Sequence, residues 1–142
     1  MRMLLSLILG VGLAANGLFM LADPAGWYGF VPGVPMTGPL NVHFIRDIGC
    51  AYAVAGLSLA AFGLDARARG AALAGGAFLG LHALIHLWDW VAGREDLFHL
   101  LNDFPAVFAP PAIALWLAWP ASIFKKEKPH AEMVDPATYR RV

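Results

Sequence analysis

Four apolar segments, at about 3–22, 41–64, 71–92 and 105–124, are each long enough to cross a bilayer as a helix. Hydrocarbon offers no water to a backbone, and a helix satisfies its own amides and carbonyls within one segment, so the sequence implies an all-α chain. The breaks between segments are chemically distinct. Asp23-Pro24 stops the first, and the stretch 24–39 is rich in Pro and Gly, with Trp27 and Tyr28 placed for an interface. A polar turn at 65–70 carries Arg67 and Arg69. Gly93-Arg94-Glu95-Asp96 closes the third segment and Lys125-Lys126-Glu127-Lys128 the fourth. Pro110-Pro111 removes two amide donors inside the fourth span and predicts a kink there. The expected unit is an integral membrane four-helix bundle over 1–128, followed by a polar cytoplasmic tail over 129–142.

Charged residues make up 14% of the chain and apolar residues 59%, against about a quarter charged in soluble domains. Formal net charge is zero, so no basic surplus points to nucleic acid. The single cysteine, Cys50, excludes an internal disulfide and any Cys-x-x-Cys motif. Residues 3–13 could serve as the apolar part of a signal peptide, with Gly12-Leu13-Ala14 as a small-residue cleavage site. The apolar run continues to Ala22, however, which reads as a retained first helix.

Positive charge sets the expected orientation. Arg2, Arg67, Arg69 and the 125–128 cluster fall on one side, whereas Arg46 and Arg94 on the other are offset by Asp23, Glu95 and Asp96. Both termini are therefore expected in the cytoplasm, with 23–40 and 93–104 facing outward. Gly76-x-x-x-Gly80 and the small residues Gly49, Ala51, Ala53, Ala55 and Gly56 suit close helix packing, and Asn16 reads as an interhelical hydrogen-bonding residue. Trp88, Trp90, Trp116 and Trp119 read as an interfacial belt.

Against this apolar background the ionisable residues stand out, because such groups inside a span need a partner or a task. His43, Asp47 and Cys50 lie at i, i+4, i+7, with Arg46 beside them, and His82, His86 and Asp89 repeat that spacing. His99 and Asp103 are four apart on a short segment before the fourth span. Each set forms a stripe on one helix face. From the outer ends, His43, Asp47 and Cys50 sit roughly 3, 9 and 13 Å deep, and Asp89, His86 and His82 roughly 4, 9 and 15 Å. The two stripes are thus expected to face each other rung for rung, with His99 and Asp103 at the rim.

Imidazole and carboxylate donors in one cluster suit a transition metal such as zinc, copper or iron. The expected ligands are His43, Asp47, His82, His86 and Asp89, with Asp47 as ligand or orienting group. His99, Asp103 and Cys50 are optional, and Arg46 balances charge. The His-x-x-x-His pair is not a zinc-protease motif, because Leu84-Ile85 stand where a glutamate base is needed. Haem b is a competing reading, weakened because the best cross-helix pair, His43 with His86, is offset by roughly 6 Å. A proton or ion path and a quinone pocket are further alternatives. So is a purely structural polar network in an accessory or assembly subunit of a larger membrane complex. The lipid bilayer is the expected partner, with a membrane protein or a second copy of the chain as further possibilities.

The stretch from Pro32-Gly33-Val34-Pro35 through Thr37-Gly38-Pro39-Leu40-Asn41-Val42-His43-Phe44-Ile45-Arg46-Asp47-Ile48-Gly49, together with His82-Ala83-Leu84-Ile85-His86-Leu87-Trp88-Asp89, resembles short four-span bacterial inner-membrane proteins of unassigned function. In size and layout these are similar to the DoxX-like proteins. The resemblance implies a bundle in a bacterial cytoplasmic membrane whose His/Asp segments form one unit, and by analogy an oxidoreductase role.

Overall fold

A computed structural model of the protein describes residues 1–120, which are mostly helical, with no strand among them. The end of the expected fourth span, the 125–128 cluster and the 129–142 tail lie outside the described residues.

Helix α1 (Arg2–Ala22) stops at Asp23, whose carboxylate accepts from the Gly26 amide at 2.9 Å and so starts the short helix α2 (Pro24–Phe30). Proline at the first helical position gives up an amide that would have had no partner there. Helix α2 folds back on α1, and the Trp27 indole donates to Asn16 at 3.0 Å. Asn16 therefore performs its expected role, whereas Trp27 and Tyr28 pack against the core and not simply at an interface. The connection onward is pinned by the Tyr28 hydroxyl, which donates to the Gly38 carbonyl at 2.8 Å.

Asn41 caps α3 (Val42–Leu64) by accepting from the Phe44 amide at 3.1 Å, and Asp65 caps the following turn. Helix α4 (Arg69–Val91) ends at Gly93, whose φ of 71° a β-carbon would disfavour. Asp96 then accepts from the His99 amide at 2.8 Å and starts α5 (Leu97–Asp103). A π-helical turn, Phe104–Phe108, joins α5 to α6 (Ala109–Ala118).

Four stretches are long and apolar enough to cross a membrane: Arg2–Ala22, Val42–Leu64, Ala66–Val91 and Leu97–Ala118. The fourth begins about two turns earlier than its sequence indicated, because Asp96 nucleates it. His99 and Asp103 consequently sit on the fourth helical stretch itself. The irregularity expected at Pro110-Pro111 falls one turn earlier. Those two prolines leave the carbonyls of Ala106 and Val107 without their usual donors, and Pro105 does the same to Leu101, so the backbone widens between them.

The tightest packing joins α1 to α3 in antiparallel fashion. A β-carbon on Gly10 would lie 2.3 Å from the Ala60 nitrogen, one on Gly17 2.4 Å from Ala53, and one on Gly56 2.2 Å from Ala14. Glycines spaced by seven on both helices (10 and 17; 49, 56 and 63) thus let two backbones touch. Ser6, fully buried, crosses this seam to donate to the Leu59 carbonyl at 2.8 Å. Helix α4 packs on α3 through Gly75 against Ala55, and on α6 through Gly76 against Leu115. Gly80 makes only an ordinary contact, so the seam expected of Gly76-x-x-x-Gly80 is carried by Gly75 and Gly76. Arg2 reaches Trp116, stacking on its ring at 5.0 Å and donating to its carbonyl, so α1 also meets α6. One end of the bundle thus gathers Arg2, Arg67 and Arg69, and the other Asp89, Arg94, Glu95, Asp96 and His99.

Candidate functional site

The two stripes expected to face each other do not meet. On α3 the buried face runs through Ile45, Gly49, Tyr52, Gly56 and Leu59. His43, Asp47 and Cys50 are displaced from those positions by two residues or about 200° around the helix, which turns them outward. His43 Nε2 lies 3.4 Å from Asp47 Oδ2, with the two side chains 89% and 59% exposed. Cys50 is exposed as well. The small-residue seam decided the rotation of α3: burying Gly49 and Gly56 against α1 sends the polar stripe to the opposite side. Arg46, expected to balance the cluster, instead donates from Nε to the Leu21 carbonyl at 3.3 Å and covers the C-terminal end of α1.

The stripe on α4 does point inward, but toward the fourth helical stretch. His86 Nδ1 is 2.7 Å from Asp103 Oδ2, with side chains 19% and 14% exposed. His82 stacks edge to face between His86 and Tyr52, with ring centroids at 4.9 and 5.8 Å. Asp89 is held by Arg94, whose Nε donates to Oδ1 at 2.7 Å. The charge balance assigned to Arg46 therefore belongs to Arg94, which acts on Asp89.

Glu95 completes the group, and the reading of the sequence passed it over as a helix-ending charge. His86, Glu95 and Asp103 each place a donor atom within 4.8 Å of the others. Glu95 Oε2 is shielded from solvent and has no hydrogen-bond partner among the described residues. His99 Nε2 lies 3.9 Å from Glu95 Oε1 and 3.9 Å from Asp103 Oδ2. The signal was present: residues 95, 99 and 103 continue the four-residue spacing already used to group 99 with 103. Asp103, expected at the rim, is central.

An open cavity of about 310 Å³ adjoins the group, lined by Met36, Thr37, Asp89, Arg94, Glu95, Asp96 and His99. Three of its walls are acidic and one is basic, which favours a cation over an anion. Two carboxylates this close repel unless a proton or a cation sits with them. The arrangement can therefore do one of two things: share protons through the His86–Asp103 contact, or bind a metal ion among imidazole and carboxylate donors. No family model, curated protein or solved structure matches the chain.

Proposed function

We propose that this chain is an integral membrane protein holding a transition-metal ion among His86, Glu95 and Asp103 at the outward end of its bundle, for redox or metal-handling chemistry. One observation carries the reading: a shielded, unpartnered Glu95 oxygen beside a His/Asp pair, with all three donors within 4.8 Å. A buried carboxylate oxygen left without a partner is costly, and a cation satisfies it. Mixed imidazole and carboxylate donors favour zinc or iron. Copper fits less well, because the thiol of Cys50 stands exposed on α3. Haem is disfavoured because His82 and His86 share a helix and meet edge to face, leaving no space for a macrocycle between them.

The arginines at one end of the bundle support a cytoplasmic placement of both termini, with the metal group facing outward from a bacterial cytoplasmic membrane. The resemblance to DoxX-like proteins is compatible with this placement and with redox chemistry. A second reading, a structural network in an accessory subunit, is favoured by the pairs that already satisfy each other, His86 with Asp103 and Arg94 with Asp89. The test is to purify the full chain in detergent without chelators and measure metal content and the visible spectrum. One zinc or iron per chain, lost in His86→Ala and Asp103→Ala, supports the metal centre. A folded protein that carries no metal and takes up neither zinc nor cobalt supports the network.

A further inference from the structure

We propose that His99 is the fourth donor of this centre, set in place by Gly33, and that the second imidazole selects zinc over the harder manganese ion. The inference rests on the metal reading above and adds to it a ligand, a positioning residue and a basis for selectivity.

His99 Nε2 stands at the same 3.9 Å from a carboxylate oxygen of Glu95 and one of Asp103. Donors around a tetrahedral zinc with bonds of about 2.1 Å are about 3.4 Å apart. A side-chain movement of about half an ångström brings Nε2 to that spacing from both carboxylates. Because His99 is not in the set of donors within 4.8 Å of one another, the ion must also draw it toward His86 to complete the shell. The imidazole is only 18% exposed, so it is held rather than free to swing.

What holds it is the α2–α3 connection. A β-carbon on Gly33 would lie 2.9 Å from His99 Cε1 and 3.3 Å from Nε2, the edge that would meet the ion. Gly33 has φ of 86°, a conformation that favours glycine, and only a hydrogen leaves room for the ring. Its position is locally fixed. The Met36 amide donates to the Gly33 carbonyl at 2.9 Å, and the Thr37 hydroxyl to Val34 at 2.8 Å. One imidazole and two carboxylates form an oxygen-rich set that suits hard ions. A second imidazole moves the site toward the nitrogen content that zinc prefers.

The experiment uses the full chain in detergent, titrated with zinc and with manganese in competition with a chromophoric chelator. Wild type is expected to prefer zinc. His99→Ala narrows the zinc-to-manganese ratio by about 10- to 100-fold, and Gly33→Ala moves it the same way by about 10-fold. Gly38→Ala is the control: its φ of 147° is equally unfavourable for a side chain, but a β-carbon there meets nothing within 4 Å. It leaves the ratio unchanged. Wild type that binds zinc, with a ratio unaltered by His99→Ala or shifted equally by Gly33→Ala and Gly38→Ala, overturns this inference alone. Wild type that binds no zinc overturns this inference, and wild type that binds neither zinc nor iron overturns the metal reading with it. If His99→Ala does not fold, the comparison of Gly33→Ala with Gly38→Ala decides the matter.

Discussion

His86 Nδ1 and Asp103 Oδ2 share a hydrogen bond at 2.7 Å, tying α4 to α5 across 17 residues of sequence. Both side chains are mostly shielded, so breaking the contact leaves a buried polar group behind. Asp103→Ala should lower stability by about 1–3 kcal/mol. His86→Ala should cost a similar amount, and the double variant less than the sum, because the partners act as a pair. Thermal unfolding in detergent, run as a double-mutant cycle, measures the coupling. Strict additivity would mean that the contact contributes nothing.

Glu95→Gln separates the two functional readings. It removes one of two crowded negative charges and replaces an unpartnered oxygen with a neutral amide. If the group is a metal centre, metal content falls while the metal-free protein becomes no less stable, since a repulsion has been relieved. If the group is a structural network, metal content is zero before and after. Elemental analysis and melting temperature on the same preparations check both outcomes.

Acidification should release the ion. Metal binding requires imidazole and carboxylate lone pairs free of protons. The sign follows directly: affinity falls as pH falls, and binding at an acid pH expels protons into the buffer. Titration calorimetry in two buffers of different ionisation enthalpy reads the number of protons released. A value that stays at zero as the buffer is taken down to about pH 5, where imidazoles bind protons before the ion does, would place the ion on groups other than imidazole.

How much of this was legible in the sequence depends on which force set each feature. The spans follow from runs of apolar residues, whereas Asp23 and Asp96 read in the sequence as ends of the preceding spans and prove to start the next helices as well. The inward stripe of α4 was also visible, with His86 at its centre. What failed was the rotation of α3. Its polar stripe looked like the informative face, yet the seven-residue glycine repeat shared with α1 determines which side is buried, and that repeat becomes apparent only when both helices are read together. Asp89 joins the expected cluster by its spacing and depth, and Arg46 by its place beside the α3 stripe. Spacing along one helix cannot reveal that Arg94, just past the end of α4, folds back on Asp89, or that Arg46 covers a carbonyl of α1.

The outward stripe of α3 makes a negative prediction. His43→Ala, Asp47→Ala and Cys50→Ala should leave metal content unchanged, since none of these side chains approaches the His86 group. His43 and Asp47 form an exposed pair, for which stability effects rarely exceed about 0.5 kcal/mol. Metal loss on any one of the three would require α3 to turn by about half a revolution relative to the arrangement described here.

The glycine seam offers the sharpest test of the fold itself. A β-carbon on Gly56 would sit 2.2 Å from the Ala14 nitrogen, against backbone that cannot swing aside. Gly56→Ala must therefore push α1 and α3 apart, and overpacking of this kind costs about 1–3 kcal/mol. Gly12→Ala on the same α1 meets nothing within 4 Å. It should be neutral or slightly stabilising, because alanine favours helix by about 1 kcal/mol over glycine. Thermal unfolding of the two variants in one detergent compares them directly. Equal melting temperatures would mean that α1 and α3 do not pack backbone to backbone. The rotation of α3, and with it the separation of His43 and Asp47 from the candidate metal centre, would then lose its physical cause.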